Sequence, residues 1–303
     1  MALAALSFLC AAAAHGAERG VTAATGAPAA KAHDPNFDEE EALEARWSVS
    51  VEGGLDSADT RQVALGLDIP LERELLASFE AGRSFSAGDT GLIDTSSFAV
   101  GLTSAPGSDL EGGFRYDYFG NTDEIRTHEL TPSVTVRTGD WDITGSAGLR
   151  MIVTRVHRPL IGDTISRTHL SYAVGGRLGF SGWGPLTLAA YGTRYLYSRG
   201  IREDRLERSA RIGAISETAF TVVSGILDWN YGVSAGLEFD RWSIGLSAET
   251  SRTFVSKSDA LSFRLDGSVM LSDSWSVEPQ AGRYFPEGAF PSTYGALTVA
   301  YSW

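Results

Sequence analysis

LDWNYGVSAGLEF, residues 227–239, sets Leu227, Trp229, Tyr231, Val233, Ala235, Leu237 and Phe239 against Asp228, Asn230, Gly232, Ser234, Gly236 and Glu238. Apolar residues at every second position share one face of a β-strand, and the small and polar residues between them share the other. A strand of this length is enough to cross a bilayer when tilted.

The same period extends in both directions along the chain. Trp47, Val49, Val51 and Leu55 alternate with Ser48, Ser50, Glu52 and Gly54, and Leu261, Phe263, Leu265, Val269 and Leu271 alternate with Ser262, Arg264, Asp266 and Ser268. The pattern predicts about fourteen strands, the first over 46–56 and the last over 293–303, with 141–154, 167–180, 186–197 and 226–239 among them. Tight turns are expected at one end, as at Pro106-Gly107-Ser108, Thr138-Gly139-Asp140 and Ser272-Asp273-Ser274, and longer polar loops at the other.

A soluble β-sandwich would alternate in the same way, but it would not sort its rings by end. Trp47, Trp141, Trp242 and Trp275 open strands at the tight-turn end, Trp183 lies in a turn there, and Trp303 closes the chain. Tyr116, Tyr118, Tyr195, Tyr197, Tyr284 and Tyr294 fall near the other end. Amphipathic rings gather at headgroup depth in membrane barrels, so the chain reads as all-β, a transmembrane antiparallel up-and-down barrel over residues 46–303.

The last strand runs to the final residue with Leu297, Val299, Tyr301 and Trp303 in alternation. It resembles the C-terminal signal of Gram-negative outer-membrane barrels, in which a terminal aromatic residue and alternating hydrophobics are read by the barrel-assembly machinery. The resemblance implies residence in that membrane, in contact with its lipid and lipopolysaccharide.

Met1–Ala17 has an apolar, alanine-rich centre followed by small residues, which reads as a secretory signal peptide; it is too short for a transmembrane helix. Residues 18–45 lack alternation and end in Asp38-Glu39-Glu40-Glu41, which reads as a disordered periplasmic linker. The single cysteine, Cys10, leaves with the signal, so disulfides and thiolate metal sites are excluded from residues 18–303. A net charge of -13 argues against a nucleic-acid partner. His33, His128, His157 and His169 are not spaced for a metal site, and neither a metal nor another cofactor is expected.

The polar face of the strands is the predicted interior. It carries Glu52, Glu80, Asp117, Asp228, Glu249 and Asp266 against Arg115, Arg150, Arg177 and Arg264, separated mostly by Gly, Ala, Ser and Thr. Fourteen strands lie between barrels that their own side chains fill and barrels that enclose water. Small inward residues favour a narrow water-filled passage, and its acidic excess favours cations. The expected function is therefore a porin-like channel for small polar solutes. A closed barrel with a structural or surface-binding role is the alternative.

Two further features bear on function. Arg155, Arg158, Arg199, Arg202, Arg205 and Arg208 form a basic outer rim suited to lipopolysaccharide phosphates or anionic solutes. His169-Leu170-Ser171 resembles the paired site of outer-membrane phospholipase A and lipid A deacylases, which implies a lipid hydrolase as a third reading. Those enzymes also carry an Asn or acidic residue after the serine, whereas this chain has Gly179, Phe180, Ser181, Gly182 and Trp183 in the comparable stretch. Moreover, the predicted register turns His169 and Ser171 inward, away from lipid. A non-enzymatic barrel is expected.

Overall fold

The computed structural model describes residues 46–57, 59–72, 75–88, 91–104, 106, 108–121, 125–158, 163–198, 226–288 and 290–303. The signal and linker segments, and with them Arg199, Arg202, Arg205 and Arg208, lie outside the described residues. No described helix is long and apolar enough to cross a membrane.

Alternation becomes fourteen strands: β1 Ser48–Asp56, β2 Arg61–Glu72, β3 Leu75–Gly88, β4 Gly91–Ser104, β5 Leu110–Asn121, β6 Ile125–Thr138, β7 Trp141–Arg158, β8 Asp163–Trp183, β9 Leu186–Tyr197, β10 Leu227–Glu238, β11 Trp242–Thr253, β12 Asp259–Met270, β13 Trp275–Pro286 and β14 Ser292–Ser302. Each pairs antiparallel with its sequence neighbours, and β14 pairs with β1 to close the barrel. The seam runs from Ser48 opposite Ser302 to Asp56 opposite Tyr294, so no edge is left unpaired along it. Beyond its end the Trp303 amide donates to the Trp47 carbonyl (3.0 Å), and the two indoles stack at 6.1 Å.

The exterior decides what surrounds the barrel. Val233 is 58% exposed, Leu246 56% and Leu65 56%, and Phe114, Val174 and Leu297 are exposed as well. No water-soluble monomer leaves so continuous an apolar surface to solvent, whereas hydrocarbon accepts it. A strand of 12 residues such as β10, tilted as barrel strands are, rises about 30 Å and spans the apolar band. Trp141 packs on Phe180 (4.8 Å between ring centroids), Phe239 on Trp242 (4.3 Å) and Trp275 on Tyr301 (4.8 Å), all at the short-turn end. These rings form one of the two aromatic levels expected of a membrane barrel.

Three features depart from the sequence reading. First, most connections at the far end are as short as the turns: 89–90, 122–124 and 159–162 join strands where longer loops were predicted. Residues 155–158 and 163–166 continue the β7–β8 ladder, with Arg155 opposite Ser166 and Arg158 opposite Asp163. Polar residues there satisfy their backbone groups by pairing across the hairpin, so composition alone does not end the strand. Second, a bulge between Leu227 and Trp229 interrupts the alternation of β10, and Leu227 and Asp228 are both buried. Third, Tyr195 and Tyr284 are buried on the inner face, and only part of the predicted second aromatic level meets lipid.

Candidate functional site

The inner wall is built from the polar half of each strand. One register row climbs through Ser50, Gly66, Glu80, Ala99, Asp117, Glu129, Arg150, Ser171 and Tyr197, each opposite the next on the adjoining strand. Small residues in this row leave room beside the charged ones. Arg115 stands one step lower and reaches up to both acids, with Nη2 2.9 Å from Glu80 Oε2 and Nε 2.8 Å from Asp117 Oδ1.

The next pair is more deeply enclosed. Arg150 donates from Nη2 (2.6 Å) and Nε (2.8 Å) to Glu129 Oε2, with side-chain exposures of only 12% and 11%. Its Nη2 also donates to the Tyr195 hydroxyl (3.2 Å), and its guanidinium lies 4.3 Å from the centroid of that ring. Tyr195 packs with Ala173 and Leu227, and Tyr197 donates to the Leu227 carbonyl (2.6 Å) and stacks on Phe254 (3.9 Å). The tyrosines thereby hold the arginine in one orientation.

On the opposite wall Tyr191, Gly232, Glu249, Ser262 and Tyr284 form a second row. The Tyr191 ring lies across Gly232, and its hydroxyl donates to Glu249 Oε2 (3.3 Å). A Cβ at Gly232 would come within 2.3 Å of the ring's Cζ. Gly232→Ala is expected to destabilise the barrel by about 1–3 kcal/mol through overpacking, and Tyr191→Ala in the same chain should relieve most of it. Equilibrium urea unfolding of the two variants checks this.

The remaining inward candidates are dispersed. Glu52 accepts from Gln62 Nε2 (3.0 Å) and Thr298 Oγ1 (3.5 Å), and Arg264 Nε lies 3.3 Å from Asp266 Oδ1. Arg177 stands opposite Thr144 and Tyr191, toward the short-turn end. Asp228, at the bulge, is held by Arg194 (3.4 Å) and Lys257 (3.3 Å). At the short-turn end Arg137 bridges Glu111 (3.0 Å) and Asp142 (3.4 Å).

The outer half of the wall is closely packed. Ser86, Thr95, Ile125, Ile152 and Ser171 are essentially without exposure. Ser171 and His169 share the inward face, Leu170 between them is exposed on the outside, and Ser171 Oγ is fully buried. A hydroxyl placed there does not meet a lipid ester. Of the predicted rim, Arg155 lies exposed on the outer end of β7, and Arg158 ends that strand. No group of three or more potential metal-ligating His, Cys, Asp or Glu side chains occurs among the described residues.

Sequence reasoning counted Tyr195 and Tyr197 in the headgroup-level ring set and passed over Tyr191, whereas the structure turns all three inward. Tyr191, Thr193, Tyr195 and Tyr197 alternate with Gly192, Arg194 and Leu196. The signal was available, because Leu196 marks the lipid face and fixes the tyrosines on the other.

A closed up-and-down barrel with an apolar exterior and a charged interior defines the class: a transmembrane β-barrel of the outer-membrane type. No protein-family model matches the chain, and no curated protein matches it in sequence. Among solved structures it is similar in fold to the CymD monoaromatic hydrocarbon channel, with a TM-score of 0.53 and 7% identity over 85% of this chain and 88% of that one. The KdgM porin in complex with disordered oligogalacturonate aligns at TM-score 0.42 and 10% identity, over 84% of this chain and 99% of that one. OpdK of Pseudomonas aeruginosa with vanillate aligns at 0.40 and 10%, over 85% and 98%.

Proposed function

We propose that the chain is a porin-like channel for small polar solutes in the outer membrane of a Gram-negative bacterium. The observation that carries this reading is the inner wall of a closed fourteen-stranded barrel, where acidic side chains alternate with residues too small to fill a wide lumen. Glu52, Glu80, Arg115, Asp117, Arg150, Arg177, Asp228, Glu249, Arg264 and Asp266 are proposed to line the path. Acids outnumber arginines on this wall, and the potential they set favours cations. The terminal Leu297, Val299, Tyr301 and Trp303 are proposed as the segment read by the assembly machinery, and lipid with lipopolysaccharide as the surrounding partner. Burial of Ser171 away from lipid supports a non-enzymatic barrel.

The packed outer half supports a second reading, a closed barrel with a structural or surface role. Planar-bilayer recording of the refolded full chain separates the two. The channel reading expects steady steps with potassium preferred over chloride, and a smaller preference in Glu80→Gln/Asp117→Asn, which removes two charges from the wall. Silence at all voltages would leave the closed barrel.

A further inference from the structure

Arginine is the commonest charged residue on the exterior face of the strands. The acids of the strands point mainly inward, whereas Arg83, Arg126, Arg155, Arg194, Arg252 and Arg283 stand on the exterior face toward the far ends of their strands. Among the described pairs, Asp94 joins Arg83, Asp259 joins Arg252 (2.8 Å), and Asp228 reaches Arg194 from the bulge (3.4 Å). Facing away from the lumen, these arginines cannot select a solute passing through it.

Their depth identifies what they meet. From Trp242 to Arg252 the tilted strand rises about 25 Å, the height of the apolar band of such barrels. Arg252 thus lies at the outer headgroup level, and the other arginines stand toward the same end of their strands. They are also held ready by aromatic rings. The Arg83 guanidinium sits 4.9 Å from the centroid of Phe85, and that of Arg283 5.1 Å from Phe285. Arg194, Trp229 and Arg252 occupy one register row on three adjoining strands, and the Trp229 ring lies 5.2 Å from that of Tyr231. A second copy of this chain docked face to face would bring like charges together. Phosphate groups instead match guanidinium in charge and in two-pronged geometry.

We propose that the outer edge of the exterior face is a binding belt for phosphorylated lipid of the outer leaflet, and that the row Arg194, Trp229, Arg252 is its best-formed site. The indole packs against the lipid backbone while the two guanidinium groups hold its phosphate. This rests on the membrane reading and deepens its lipid partner, placing the contact on the wall itself rather than in the 199–208 segment.

The test is native mass spectrometry of the refolded full chain in detergent micelles, titrated with diphosphorylated lipid A and with a dephosphorylated form bearing the same acyl chains. The wild-type chain is expected to prefer the diphosphorylated form by about tenfold. Arg194→Gln/Arg252→Gln should lose most of that preference, Arg194→Lys/Arg252→Lys should retain part of it, and the inward Arg264→Gln should retain all of it. Equal binding of the two lipids, or an unchanged preference in the Gln variant, overturns the proposal. So does displacement by millimolar inorganic phosphate, which would mark a site for free anions. The single variants carry the same comparison if the double variant does not refold. A failure of the membrane reading is visible separately, as loss of heat-modifiable gel mobility and of bilayer insertion by the wild-type chain.

Discussion

Arg150→Ala is expected to destabilise the barrel by about 3–5 kcal/mol, because removing one partner of an enclosed ion pair leaves the other charge uncompensated. Glu129 Oε2 receives two bonds from Arg150 and is almost wholly withdrawn from solvent. Alanine removes both bonds, together with the cation over the Tyr195 ring and the donor to its hydroxyl. Urea unfolding of the chain in lipid vesicles, followed by tryptophan fluorescence, measures the loss. Arg150→Met/Glu129→Gln should recover most of it, since neither member then carries an unpaired charge and the stem volume is kept. A loss below about 1 kcal/mol in Arg150→Ala would mean that the pair behaves as an exposed one, with water reaching this part of the wall. The measurement therefore reports on stability and also on how far the passage is open at its outer half.

The architecture was legible because two lines of argument needed only sequence. Period two gave the strands, and the end-sorted tryptophans gave the membrane. In β10 the first operates by itself: Tyr231, Val233, Ala235 and Leu237 face outward as the alternation requires, while Trp229 is the one tryptophan away from the short-turn end. The bulge at Leu227 was not legible. An extra residue in one strand is fixed by pairing with β9 and β11, which lie elsewhere in the chain, and it reverses the face of everything beyond it. The ends of β7 and β8 were also obscure, because a ladder above the membrane has no hydrophobic pattern to mark it. For the site, sequence gave the inward face of most charged residues and none of the pairings. Of the partners of Arg115, Asp117 lies two residues on in the same strand and Glu80 two strands away, and only the register of β3, β4 and β5 brings Glu80 within reach. The exterior arginines were read as loop residues or passed over. Their position on the lipid face becomes visible only once the register of each strand is known.

The largest contrast between neighbouring positions is expected at the centre of β10. Val233→Arg places a guanidinium on the exterior face at mid-strand and should cost about 2–4 kcal/mol in a bilayer, the penalty for a cation near the membrane midplane. Ser234→Arg turns the same side chain inward, among Ala189 and Ser247 of the adjoining strands, where charged groups are already solvated or paired. It should cost less than about 1 kcal/mol in stability and lower cation preference in bilayer recordings by adding positive charge to an acidic wall. Depth sharpens the comparison. Arg194 and Arg252 show that this face accepts arginine at headgroup level, so intolerance at Val233 would follow from its position in hydrocarbon and not from the residue type. A soluble barrel predicts the reverse order. Val233 is 58% exposed, and in water an arginine there would be neutral, while the more enclosed Ser234 would bear the larger cost. Urea unfolding of both variants in vesicles and in a mild detergent settles the order.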